Sequence, residues 1–153
     1  MNEMKKYRVG YTQGTYDLFH VGHLNLLENA KKRCEYLIVG INSDELVLMY
    51  KNKKVNISEN DRARIVSALK PVDEVHIVNT LDKELAYNKF KFDVIFIGDD
   101  WKGNDRWKNT EEQLSKVGVK VEYLPHTDGI STTILSQKIL NKEEEERWKK
   151  IIY

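Results

Sequence analysis

Two short runs in this chain are apolar almost without interruption, Tyr36-Leu37-Ile38-Val39-Gly40-Ile41 and Asp93-Val94-Ile95-Phe96-Ile97-Gly98. A strand with one wet face alternates apolar and polar residues. An unbroken apolar run marks a strand covered on both faces, which is the habit of parallel sheets. A parallel sheet needs a crossover between successive strands, usually a helix. The spacing of these two runs therefore dictates much of what surrounds them.

The intervening segments fit that demand. Tyr7–Thr12 is rich in β-formers and ends at a glycine-containing turn, and Glu74–Val78 and Lys120–Leu124 read as further strands. Between them, Leu24, Leu26, Leu27 and Ala30 fall at helical spacing, with Glu28, Lys31, Lys32 and Arg33 on the other side. Further helices are expected over 45–49, 62–69, 81–88 and 106–117, the last closed by Gly118, and one more from Ser131 carrying Ile134, Leu135, Ile139 and Leu140. Ser58-Glu59-Asn60-Asp61 resembles a capping box opening the helix at 62–69, with Asp61 in the place of the usual Glu or Gln. Strands alternate with helices throughout, so the fold class is α/β: a Rossmann-like, doubly wound parallel sheet of five strands with helices on both faces. Its 153 residues suffice for one core, placed in residues 1–140, with a charged tail over 141–153 in which Trp148, Ile151 and Ile152 are spaced as an amphipathic helix.

In such folds ligands bind beyond the carboxyl ends of the strands, at a topological switch point. Three loops there stand out by composition: residues 13–23, 98–105 and 125–132. All three are expected to meet at one site. The first holds His20 and His23 about Gly22, an i, i+3 pair whose rings share one helix face. The plainest reading is two ordinary polar residues in a first turn. A zinc site would need a third ligand, and His76, His126 and the single Cys34 lie in no recognisable ligand spacing. Anion binding at a helix N-terminus is the third reading, with free amides and the dipole favouring phosphate, and a bound anion favouring the imidazolium. Lys51, Lys53 and Lys54 form a basic loop, in most chains a solvated face. Asp99-Asp100 follows a buried strand as a turn or a contact to ribose, base or metal. Ser131 reads as an N-cap, a role compatible with phosphate binding by the same free amides.

A net charge of +1 lacks the basic footprint of a nucleic-acid binder. One cysteine excludes an internal disulfide framework and fits a reducing compartment. Met1–Lys6 is charged with no apolar core, unlike a secretory signal, and no window reaches membrane-spanning length. The expectation is a cytoplasmic protein without membrane insertion.

Gly14-Thr15-Tyr16-Asp17-Leu18-Phe19-His20-Val21-Gly22-His23 resembles the GTxDxxHxGH signature of the cytidylyltransferase branch of the nucleotidyltransferase superfamily. Ile130-Ser131-Thr132-Thr133 is similar to that superfamily's second signature. With Val72-Asp73-Glu74-Val75 and Gly98-Asp99-Asp100-Trp101-Lys102-Gly103, the resemblance spans about residues 8–140 and is strongest to the bacterial glycerol-3-phosphate cytidylyltransferases.

The resemblance implies transfer of CMP from CTP to a small phosphomonoester, with Mg²⁺ accompanying CTP, and a homodimer. The product would be a CDP-alcohol, first of all CDP-glycerol, a surface-polymer precursor. Phosphoethanolamine, phosphocholine and other polyol phosphates are alternative acceptors, and a nucleotide-binding module without turnover is the alternative outside enzymes. By position, His20 and His23 would hold the triphosphate, Lys53 would reach its phosphates, and Arg62 would point into the site. Thr15, Tyr16, Gly22 and Asp99 would line the nucleotide. His126, Thr127, Gly129, Ile130, Ser131, Thr132 and Thr133 would form the triphosphate loop, and Lys51 and Lys83 would meet the acceptor. Two residues depart from the pattern. His126 stands where the family carries arginine, and imidazole has neither guanidinium's permanent charge nor its bidentate geometry. Lys70 likewise replaces an arginine placed to meet base or phosphate.

Overall fold

The computed structural model describes residues 5–152, the side chains of Trp148, Lys150, Ile151 and Ile152 excepted, so the expected apolar spacing of the tail falls outside the described residues. Five parallel strands form the sheet: β1 (Tyr7–Gly14), β2 (Cys34–Asn42), β3 (Glu74–Val78), β4 (Val94–Gly98) and β5 (Lys120–Leu124). Their spatial order is β3-β2-β1-β4-β5. The chain winds outward from β1 to β3, then returns to place β4 on the other side of β1. The switch point therefore lies beyond the carboxyl ends of β1 and β4, where ligands bind in such sheets.

Six helices complete the fold: α1 (Val21–Lys31), α2 (Asp44–Lys51), α3 (Glu59–Ser67), α4 (Lys83–Phe90), α5 (Asp105–Ser115) and α6 (Thr132–Ile152). The two-residue period of the strands sorts the core into two layers. Leu37, Val39, Ile41, Val94 and Phe96 face Leu27 and Ala30 of α1 and Val66 of α3. Ile38 and Ile95 point the opposite way, with Tyr11, toward Ala86 of α4 and Trp107 and Leu114 of α5. Tyr11 stacks on Phe92 with ring centroids 4.8 Å apart. Burial on both sides explains the unbroken apolar runs of β2 and β4.

Local signals set most helix ends. Ser43 accepts from the Leu46 amide at 3.1 Å, and Asp82 from Glu84 and Leu85, so α4 begins two residues later than its apolar spacing suggests. Gly118 has φ +78°, which suits a glycine after a helix. The expected capping box at Ser58 is not formed: its side chain makes no cap bond. Glu59 instead accepts from the Asp44 amide at 3.1 Å, fastening α3 to α2. Ser131 does cap α6, accepting from the Ile134 amide at 3.1 Å. That helix then runs unbroken for 21 residues through the charged tail. No described helix is long and apolar enough to cross a membrane.

Candidate active site

The loop after β1 has an unusual backbone. Tyr16 and Leu18 both have positive φ, 55° and 48°, each costing roughly 1–2 kcal/mol for a residue with a Cβ. Asp17, between them, holds the loop in that shape. Its carboxylate accepts from the amides of Leu18, Asn56 and Ile57 and from Asn56 Nδ2, at 2.8–3.2 Å. Its carbonyl accepts from Thr132 Oγ1 at 2.6 Å. One buried aspartate thus ties the β1–α1 loop to the segment before α3 and to the start of α6. Asn25 Nδ2 adds a bond to Thr127 Oγ1 at 2.9 Å. Asp99 Oδ1 accepts from the His126 amide at 3.2 Å and lies 2.5 Å from its Nδ1. The three loops singled out by composition therefore converge, the loop at 125–132 joined by hydrogen bonds to each of the other two.

His20 is the N-cap of α1 and His23 its third residue, and the pair forms a capping box made of imidazoles. His20 Nδ1 accepts from the Gly22 amide at 3.0 Å, and His23 Nδ1 from the His20 amide at 3.2 Å. The rings stack with centroids 3.9 Å apart. A Cβ on Gly22 would lie 2.8 Å from the His20 ring, so only glycine fits between them. Because both Nδ1 atoms accept, each neutral ring carries its proton on Nε2. Burial lowers both pKa values, that of His23 to about 4 with His20 beside it as a second cause. At neutral pH the pair is two uncharged, directed N–H donors, not the imidazolium pair that a phosphate role suggests. Among the described residues no group of three or more His, Cys, Asp and Glu is arranged to hold a metal ion.

A cleft of about 730 Å³ opens over the switch point. Thr15, Tyr16, Gly22 and His23 line it from the β1 side, and His126, Ser131, Thr132 and Thr133 from the β5 side. The amino ends of α1 and α6 thus both face it, a setting that suits anionic oxygens. Lys51, Lys53, Lys54 and Lys83 line it too. Lys83 is only 8 % exposed. Burial and the charge of Arg106 lower its ammonium pKa to about 8.

Other expected site residues stand elsewhere. Thr127, Gly129, Ile130, Lys70 and His20 are not on the cleft wall, His20 being stacked on His23, which is. Asp99 is also off the wall, serving as the clamp on His126, while Asp100 lines the cleft. Arg62 corrects the expectation most. Its side chain is fully buried and does not point into the cleft. Nε donates to Ile57 O, Nη1 to Thr15 O and Asn42 O, and Nη2 to Asp44 Oδ1, all at 2.6–2.8 Å. The guanidinium is a strut under the site, binding three loops at once.

His126 lies between two acids, with Nδ1 toward Asp99 and Nε2 3.0 Å from Asp128 Oδ1. The Asp99 hydrogen bond and charge raise its pKa, so it is held toward the imidazolium. Composition did not reveal the polar chain beneath the β1–β2 side of the cleft. Gln13 Nε2 donates to Asn42 Oδ1 at 2.9 Å, and Asn42 Nδ2 donates to Thr15 Oγ1 and Tyr50 Oη at 3.3 and 3.2 Å. Amides at strand ends were the available signal.

Comparison with known proteins identifies the family. Residues 11–138 match the family described as Cytidylyltransferase-like. The chain is 42% identical over 123 residues to a glycerol-3-phosphate cytidylyltransferase of Bacillus spizizenii, covering 80% of this chain and 89% of that protein. It is 36% identical over 145 residues to an FAD synthase of Thermococcus onnurineus, covering 90% and 94%. Among solved structures, a lipopolysaccharide core biosynthesis protein from Thermoplasma volcanium superposes with TM-score 0.66 at 23% identity, covering 79% of this chain and 97% of that one, a likeness of fold. The chain belongs to the cytidylyltransferase-like family of nucleotidyltransferases.

Proposed function

We propose that this nucleotidyltransferase moves CMP from CTP to a small phosphomonoester, first of all glycerol 3-phosphate, releasing pyrophosphate and CDP-glycerol. The observation that carries this reading is one cleft with two kinds of anion handle. Neutral N–H donors and two helix N-termini stand together, and the buried cation Lys83 lines the same space. The names of the Bacillus relatives support the choice of nucleotide and acceptor.

In this mechanism an acceptor phosphate oxygen attacks the α-phosphorus in line, and the α–β bond breaks. A phosphomonoester is nucleophilic near neutral pH, so the protein supplies position and charge stabilisation. His20 and His23 donate from Nε2 to the phosphate oxygens on which charge builds. Backbone amides at Ser131–Thr133 receive the triphosphate, Gly22 leaves room for it to approach, and His126 adds a positive charge beside it. Thr15 and Tyr16 border the nucleotide. Lys53 reaches the CTP phosphates and Lys51 the acceptor phosphate. Arg62 positions these groups through Thr15 and Asn42. Mg²⁺ would arrive coordinated by the triphosphate, neutralising charge on the leaving pyrophosphate. Asp100, on the cleft wall, is the carboxylate suited to hold its water shell. A cytoplasmic homodimer is the setting proposed, with CDP-glycerol serving surface-polymer synthesis.

The FAD synthase relative supports a second reading, transfer of AMP from ATP to FMN. A pyrophosphate-release assay pairs CTP or ATP with glycerol 3-phosphate, phosphocholine, phosphoethanolamine and FMN. Turnover is expected with CTP and glycerol 3-phosphate. Release with ATP and FMN alone would replace the reading, and no release with any pair would remove it.

A further inference from the structure

The walls around Lys83 carry more donors than the protein satisfies. A second cavity of about 300 Å³ lies between the starts of α4 and α5. It shares four wall residues with the main cleft: Leu81, Lys83, Arg106 and Trp107. Lys83 Nζ donates to Leu81 O at 2.7 Å and sits 5.6 Å from the centre of the Trp107 ring. The Arg106 guanidinium lies 5.7 Å from the centre of the Trp101 ring. Neither cation is paired with a carboxylate among the described residues. Trp107 is 5 % exposed, and its buried Nε1–H has no acceptor. Buried donors are almost always satisfied, so an orphan beside two unpaired cations needs a reason.

We propose that Arg106 and Trp107 recognise the phosphomonoester acceptor, Arg106 sharing its phosphate with Lys83 at the common wall and the Trp107 indole N–H meeting one of its oxygens. The proposal rests on the cytidylyl-transfer reading and names the acceptor's class: a small hydroxylated phosphate. The rest of the small cavity is bounded by Asp82, Glu84, Thr110 and Gln113, side chains that hydrogen-bond hydroxyl groups. Burial and the nearby Arg106 hold the Lys83 ammonium toward its neutral form, and an arriving dianion opposes both influences. The Trp107 nitrogen is closed to solvent in the free protein. Phosphate binding would draw Lys83 from Leu81 O and off the indole, opening that donor.

Steady-state kinetics on the full chain test this, varying glycerol 3-phosphate and CTP separately. Arg106 is exposed, so Arg106→Gln should fold normally. It is expected to raise KM for glycerol 3-phosphate roughly tenfold, the effect of one lost charge-assisted phosphate contact, and to leave KM for CTP within about twofold. Arg106→Lys should recover part of the loss. Trp107→Phe keeps the ring and removes the N–H; about a fivefold rise in acceptor KM is expected, with CTP KM unchanged. An active Arg106→Gln protein with unchanged acceptor KM overturns the proposal alone. A wild type that releases no pyrophosphate from CTP with any acceptor overturns the underlying reading as well.

Discussion

His23 and His126 line one cleft and are tuned in opposite directions. His23 is mostly buried at the foot of α1, its Nδ1 occupied by a backbone amide, and its pKa falls to about 4. His126 stands exposed on the opposite loop between Asp99 and Asp128, and its pKa rises. Burial beside another imidazole makes one ring a neutral donor of fixed direction. Two carboxylates make the other a cation whose charge depends on pH. Position, not residue type, decides which chemistry imidazole offers.

The widest separation between the two should appear in turnover. His20→Ala or His23→Ala is expected to lower kcat by about 10²–10³, matching the 3–4 kcal/mol lost with one transition-state donor. His126→Ala should raise KM for CTP several-fold and change kcat little. Equal losses at His23 and His126 would erase the distinction.

The pH dependences should also oppose. His126 is cationic below its raised pKa and loses charge as pH climbs through it. KM for CTP should therefore rise on the alkaline side, from a midpoint above the ordinary histidine value of about 6.5. His126→Arg should flatten that rise, since guanidinium stays charged. At high pH the wild type and His126→Ala should converge.

His23 bears instead on stability. Its folded pKa lies below the unfolded value, so the unfolded chain binds the proton first. Its contribution is intact above about pH 6.5 and falls as pH drops toward 4, by on the order of 3 kcal/mol in all. The wild type's margin in thermal midpoint over His23→Asn should shrink between pH 7 and pH 5. A constant margin would show that His23 protonates alike in both states.

The smallest effect separates the two acids. Asp99→Asn should move the alkaline midpoint of His126 down further than Asp128→Asn, because the Asp99 hydrogen bond is the largest influence on that ring.

Periodicity captured the sheet well, because strands buried on both faces leave an unmistakable trace. β3 and β5 fall on the expected residues, and β1 and β2 reach two residues and one residue further, toward the cleft. Ser131 was legible as a cap because capping is local. Arg62 was not: an arginine near a helix start looks the same in sequence whether it points outward or inward. What turns it inward is a set of carbonyls 5, 20 and 47 residues away. Ser58 failed as a cap for a similar reason, with Glu59 drawn to the amide of Asp44. The orphan donor of Trp107 is likewise a product of packing between α4 and α5.

The Arg62 strut also says where this architecture is free to diverge. Four bonds from one buried guanidinium lock the carboxyl ends of β1 and β2 to the approach to α3. Any drift in one of those loops strands a buried charge, so the β1–β2 side of the cleft must change together or stay as it is. Among the described residues, the wall made by α4 and α5 has no comparable tie. Substitutions there can be sampled one at a time, over an unchanged β1–β2 side. A lineage can thus remodel one wall of the cleft and keep the other.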